Sequence, residues 1–245
     1  MSATTARHLL VRRRSNSPWR ERFGIVADRL VAAHGVPTLG NFRDPVKEIF
    51  YILLSARTTD AQYRRTHRNL LRAYPTLADL ARARVAGVRK CIASGGLDRV
   101  RARHCILIAR ELLAKGGPNP ARHIRSLDPA AAYAFLAALP GVGPKSALCV
   151  AMYSLGADVF PVDANVQRIA ERMGAIRPRI EHRVAQRRLA AVTPDGRSRE
   201  LHIAMVVHGR KGCLPANPKC GECCLVDLCK RGRKMERMIR QFVPS

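Results

Sequence analysis

Apolar residues along this chain recur at the three- and four-residue spacing of helix faces and almost nowhere alternate as they would in a strand. Ser17-Pro18 opens a first predicted helix, whose Trp19, Phe23, Val26 and Leu30 share one face before His34-Gly35-Val36-Pro37 stops it. Asp44-Pro45 opens a second, with Val46, Ile49, Phe50, Leu53 and Leu54 at core spacing. A third runs from Asp60 to Tyr74, ahead of Pro75, and shorter ones follow around Leu77–Ala83 and Val85–Ala93. From about Asp98 to Lys115, Val100, Ile106, Leu107, Leu112 and Leu113 stand among arginines, and Gly116-Gly117-Pro118 ends the segment. Asp128-Pro129 then opens an Ala-rich helix leading to Leu139. With no internal repeat of fixed period, the pattern predicts an all-α fold.

Charge changes this otherwise ordinary picture. The 245 residues suffice for one sizeable domain or two smaller ones, yet 44 Lys and Arg against 18 Asp and Glu give a net charge of +26. Such an excess implies a polyanionic partner, and nucleic acid leads, although the arginine usage of a GC-rich genome would add to it. No apolar run approaches the roughly 20 residues needed to span a bilayer, so no membrane partner is expected. Residues 1–17 read as a basic, disordered arm with Arg7, Arg12, Arg13 and Arg14, or alternatively as an organelle transit peptide. Eight cysteines fit a reducing compartment. Four of them, Cys213, Cys220, Cys223 and Cys229, form the pattern C-x6-C-x2-C-x5-C near the end of the chain, the spacing of a metal-ligand set rather than a disulfide framework. Zinc and an iron–sulfur cluster both take four thiolates, and only Cys220-x-x-Cys223 is the short knuckle typical of zinc modules.

The strongest motif outside the cysteines is Leu139-Pro140-Gly141-Val142-Gly143-Pro144-Lys145. An apolar helix, a turn with two glycines, and a second helix opening at Pro144 describe a helix-hairpin-helix. Gly141, Val142 and Gly143 would bring backbone N–H groups close to a DNA phosphate without reading sequence. Lys145 then sits at a positive helix start, where desolvation beside other cations would lower its pKa toward that of a nucleophile. Eighteen residues on, Asp163 precedes the helix-periodic Val166, Ile169 and Ala170, as an N-cap would. A carboxylate in that position is both oriented and kept ionised by the helix N–H groups.

These residues together resemble the endonuclease III branch of the helix-hairpin-helix DNA glycosylases: Pro-Gly-Val-Gly-Pro-Lys145, Val-Asp163 and the four-cysteine ending. The resemblance implies two helical domains flanking a DNA-binding cleft. One is a six-helix barrel over residues 38–157; the other is a cluster domain of residues 18–37 plus 158–245, with Cys213, Cys220, Cys223 and Cys229 holding a 4Fe–4S cluster. It implies a monomeric, bifunctional DNA glycosylase and AP lyase acting on double-stranded DNA with a damaged base or abasic site. The expected locations are a bacterial cytoplasm at the nucleoid, or an organelle or nucleus in a eukaryote. Lys145 is the implied nucleophile, Asp163 its charge and proton partner, Leu97 on Ser94-Gly95-Gly96 the wedge that fills the gap left by a flipped base, and Arg57 a residue lining the opposite side of that gap. His208 is expected near the cluster. Two departures bear on the substrate. Arg57 stands where the family usually has glutamine, and Ala164-Asn165 stands where thymine-glycol enzymes usually carry Thr-His. The Asp-x-Asn-Val form is more like adenine or mismatch glycosylases and plant methylcytosine glycosylases, while Lys145 departs from the adenine-glycosylase pattern. Oxidised pyrimidines are the expected lesions, with modified or mismatched pyrimidines, or a DNA-binding protein without catalysis, as the alternatives.

Overall fold

The structure is a computed structural model and describes residues 16–35, 38–56, 58–93 and 97–242, with side chains of the last helix through Met238. Arg57, Ser94-Gly95-Gly96 and residues 1–15, on which sequence expectations rest, lie outside the described residues. Among the described residues the fold is helical with no strand, and two compact units emerge. One comprises Asn41–Ala157; the other joins the residues up to Gly40 with those from Asp158 onward.

The first unit contains α2 (Pro45–Ser55), α3 (Asp60–Ala73), α4 (Leu77–Arg82), α5 (Val85–Ile92), α6 (Asp98–Gly116), α7 (Pro120–Ser126), α8 (Pro129–Ala137) and α9 (Pro144–Ser154). Helix starts are chemically marked. Asp44 accepts from the Val46 and Lys47 amides, Asp128 from those of Ala130 and Ala131, and Asn119 from that of Arg122. Thr59 with Gln62 and Thr76 with Asp79 close reciprocal capping boxes on α3 and α4. Helix α2 is buried from Ile49 through Leu54 and packs on α3, α7 and α9, so it forms the centre of this unit. Each such side chain removed from water is worth roughly 1.5–3 kcal/mol. Its one buried charge, Glu48, is stabilised by the Phe42 amide at 2.8 Å and by the Asn41 side-chain amide.

The second unit contains α1 (Trp19–His34), α10 (Ala164–Met173), α11 (His182–Val192), α12 (Ser198–Lys211), a short 3-10 turn over Cys220–Glu222, and α13 (Lys230–Phe242). Phe23, Val26 and Leu30 of α1 are fully buried and join Val166, Ile169, Leu189, Leu201 and Met205 in one core. Helix α12 is the centre of this unit, packing on α1 and α10. Ion pairs tie α1 to the later chain: Arg20 to Asp195 at 2.6 Å, Arg197 to Asp28 at 2.7 Å and Arg29 to Asp227 at 2.5 Å. Several of the few acidic residues are thus engaged within the fold, which leaves much of the basic excess facing solvent.

Candidate functional site

The glycine hairpin of the first unit forms because its residues match a tight turn. The Val142 amide donates to the Leu139 carbonyl at 3.0 Å, Pro140 occupies the second position, and Gly141 takes φ +76° at the third, where a side chain would be strained. The turn also fits closely. A Cβ on Gly141 would lie 2.7 Å from His104 Cγ of α6, so the imidazole and the turn backbone can meet only because position 141 is bare. Leu139 and Val142 point inward, at 4% and 5% exposure, while Gly141, Gly143 and Pro144 face solvent. The hairpin therefore presents backbone rather than side chains. Gly143 is the N-cap of α9 and brings no side chain to close its start, and Lys145 is the second residue of that helix, half-buried.

Leu97, which precedes α6, is 59% exposed and holds a left-handed φ of +50°. An exposed leucine in that conformation is unusual, and it is not part of the core. One turn on, Val100 is 51% exposed, and Leu107 is 42% exposed further along the same helix. The buried face of α6 is instead Ala102, Cys105, Ile106, Ile108, Ala109 and Leu112.

In the second unit Asp163 is the N-cap of α10, with Oδ1 accepting from the Val166 amide at 2.8 Å. Its other oxygen accepts from the Asn165 side-chain amide at 3.1 Å. Asn165 Oδ1 in turn accepts from Arg168 Nη2 at 2.9 Å, and the same guanidinium donates through Nε to the Cys213 carbonyl at 3.0 Å and through Nη2 to the Gly209 carbonyl at 2.8 Å. Gly209 is required here, because a Cβ would come within 2.7 Å of Asn165 Cβ. The capping carboxylate and the start of the cysteine loop thus belong to one hydrogen-bonded chain.

Cys213, Cys220, Cys223 and Cys229 line one pocket, walled by Ile169, Met173, Leu225 and Val226. Cys224 is not part of that lining; its carbonyl accepts from Arg29. No disulfide forms among the described residues, which include all eight cysteines. Arg172 clamps the loop, donating from Nη1 to Cys213 Sγ at 3.2 Å and to the Leu214 carbonyl at 2.6 Å, and from Nη2 to the Pro215 carbonyl at 2.8 Å. Burial pushes the Cys223 thiol up to about 11 and raises that of Cys229 as well, so without a compensating cation both thiols stay protonated at neutral pH. His208 Nε2 lies 3.5 Å from Cys223 Sγ. Burial, then the neighbouring His34 and Arg168, lower the His208 imidazole to about 4. Among the described residues no three His, Cys, Asp or Glu side chains converge tightly enough for one metal ion.

A hairpin that presents bare backbone, and a four-cysteine pocket linked to a capping carboxylate, narrow the families to be considered. Residues 50–195 match the HhH-GPD superfamily of base excision DNA repair proteins. The chain belongs to that superfamily. Within HhH-GPD proteins it is similar to endonuclease III of Thermotoga maritima, at 31% identity over 78% of this chain and 85% of the relative. It is also similar to a thymine-DNA glycosylase of Aeropyrum pernix, at 32% identity over 77% of this chain and 83% of that one. Among solved HhH-GPD structures, a trapped endonuclease III–DNA covalent intermediate superposes with a TM-score of 0.78 at 26% identity, covering 89% of this chain and 99% of the other.

Lys145 and Asp163 fall in different units, and each occupies the helix-start position that its spacing predicts. Sequence reasoning missed Arg168, Arg172 and His34. All three act on residues between 41 and 174 positions away, a distance at which no local spacing signals contact.

Proposed function

We propose that this protein is a bifunctional DNA glycosylase and AP lyase that removes oxidised pyrimidines from duplex DNA. The observation that carries this reading is a lysine at the second position of the helix that leaves a glycine hairpin, in a member of a base excision repair family. Backbone N–H groups at the hairpin hold a phosphate, and Leu97, exposed ahead of α6, fills the gap left by a flipped nucleotide. The Lys145 amine attacks C1′ of the deoxyribose. As the nitrogen–carbon bond forms, the glycosidic bond breaks, and the base leaves with its bonding electrons and takes up a proton. Asp163, held by its cap bonds with one oxygen against Asn165, offsets the positive charge that develops on the sugar and receives the proton released by the lysine. The sugar ring then opens: the nitrogen lone pair forms the C1′=N double bond as the C1′–O4′ bond breaks and O4′ takes up a proton, giving a Schiff base that acidifies C2′–H. Loss of a C2′ proton expels the 3′ phosphate and nicks the strand. Arg57 belongs to the same reading as a contact to the unpaired opposite base.

The four cysteines are assigned to a 4Fe–4S cluster. All four line one pocket, and a 4Fe–4S cluster takes four thiolates, whereas the sequence offers only Cys220-x-x-Cys223 as the short knuckle typical of zinc modules. Cys213, Cys220, Cys223 and Cys229 would hold the cluster, which would supply the positive charge that stabilises their thiolates; the residues around it would fix the basic segment bearing Lys211, Lys219, Lys230, Arg231 and Arg233, all exposed. With DNA as the partner, this reading has the protein work in a bacterial cytoplasm at the nucleoid, or in an organelle or nucleus of a eukaryote.

Borohydride reduction in the presence of duplex DNA with an abasic site is the test. Wild type forms a covalent adduct and Lys145→Gln does not; trapping by Lys145→Gln at the wild-type level would reassign the nucleophile. A second reading, removal of modified or mismatched pyrimidines, is supported by Asn165 beside Asp163 and by the similarity to a thymine-DNA glycosylase. Strand cleavage across duplexes carrying thymine glycol, dihydrouracil, 5-methylcytosine or a T·G mismatch separates the two.

A further inference from the structure

Helix α1 ends at His34, and helix α12 carries His208 one turn before its own end. The two rings meet with centroids 5.4 Å apart, and His34 Nε2 lies 3.1 Å from His208 Nδ1. The far nitrogen of His208, Nε2, is the atom 3.5 Å from Cys223 Sγ. Three hydrogen-bonding atoms of two imidazoles and one sulfur are therefore strung in a line that begins at a half-buried helix end and finishes at a candidate cluster ligand.

Resting on the assignment of Cys223 as a cluster ligand, we propose that the His34–His208 pair is a positioning relay that holds an imidazole N–H against the Cys223 sulfur and so sets the reduction potential of the cluster. The proton arrangement follows from the geometry. A thiolate accepts, so Nε2 of His208 carries the hydrogen; the neutral ring then has a bare Nδ1, which accepts, and His34 must donate through its own Nε2–H. His34 thereby selects the tautomer of His208, in the way that outer residues select the tautomer of a metal-bound histidine. Packing enforces the same placement. His208 is only 4% exposed, and a Cβ on Gly212 would lie 3.2 Å from its Cε1, so glycine there lets the cysteine loop pass over the ring. The Leu225 amide donates to the same sulfur at 3.4 Å, which gives Cys223 two N–H donors. Hydrogen bonds to cluster sulfurs withdraw negative charge from them, and they stabilise the form carrying the extra electron more than the form without it.

The test is direct voltammetry of the as-isolated protein, with iron and sulfide content measured alongside. His208→Phe keeps the ring volume and removes the donor; His34→Phe leaves His208 in place but frees it to carry its hydrogen on the wrong nitrogen; His34→Gln restores a donor by another route. Both Phe variants are expected to shift the midpoint to more negative potential, and His34→Gln to return part of that shift. Because His34 is half-buried at a helix end, its two variants decide the matter even if His208→Phe fails to fold. Iron-replete His34→Phe protein with the wild-type midpoint would overturn the relay alone. Wild-type protein without iron and sulfide would overturn the cluster assignment and the relay with it.

Discussion

The cap that Asp163 forms and the catalytic role proposed for it can be separated by substitution. Asparagine caps a helix about as well as aspartate but carries no charge, so Asp163→Asn should retain the wild-type urea midpoint while losing roughly 10²–10³-fold in base removal, measured under single-turnover conditions. Asp163→Ala should lose the cap as well, at a cost of about 1 kcal/mol. The converse holds at Leu97, whose φ of +50° is strained for leucine and whose side chain is mostly in water. Leu97→Gly should leave stability unchanged or raise it by up to about 1 kcal/mol, yet slow excision from duplex DNA if, as proposed, its side chain is the wedge. Gly141→Ala meets both penalties at once: a forbidden φ, and a methyl group driven into His104. It should lower stability by about 1–3 kcal/mol and weaken duplex binding; adding His104→Ala should recover only the steric part. Much of this scale was legible in the sequence. The hairpin, Lys145 and the Asp163 cap are local patterns, whereas the Arg172 clamp and the His34 contact arise only once distant helices meet.

At the scale of elements, start signals were the most readable feature. Asp44-Pro45, Asp128-Pro129 and Pro144 all mark helices that form where expected, because a cap or an N1 proline acts within a single turn; the helix expected from Asp60 also starts there, behind the Thr59 cap. Helix α7 escaped notice although Asn119-Pro120 carries the same chemistry; at seven residues it has too little periodicity to stand out. The inward face of α6 was readable only in part: Ile106 and Leu112 are buried, but Val100 and Leu107 are exposed and small residues such as Ala102 and Ala109 join the core. One buried contact has a pH signature. His67 of α3 sits against Phe42 and Tyr51, with Nε2 3.1 Å from the Lys47 carbonyl, and burial lowers its imidazole to about 4. The unfolded chain takes up this proton near about 6.5 and the folded protein only near about 4, so between those values acid favours unfolding. Urea midpoints should fall as pH drops through that window, and His67→Phe should flatten the decline in the first unit.

At the scale of the whole molecule, charge dominates. With +26 to place and many acids engaged in caps and ion pairs, binding to duplex DNA should be strongly salt-dependent. If about 6–10 phosphates are neutralised, affinity should fall by about 10³-fold or more between about 50 and about 200 mM salt, readable from fluorescence anisotropy titrations. Among the described residues no helix is long and apolar enough to cross a membrane. The helical class was visible from periodicity alone; the division into two units was not, because one of them is assembled from both ends of the chain. That assembly has a consequence for synthesis. Arg197 donates to the Gly24 carbonyl across 173 residues, and the apolar face of α1 is covered by α12. At about 5–20 residues per second, the ribosome takes on the order of ten to thirty seconds to make that intervening stretch. Throughout that interval Phe23, Val26 and Leu30 lack the helix that will cover them, whereas the stretch from Asn41 to Ala157 is complete before the interval ends. The first of the described helices to emerge is therefore among the last to find its place, and it is a segment on which a nascent-chain chaperone would have much to do.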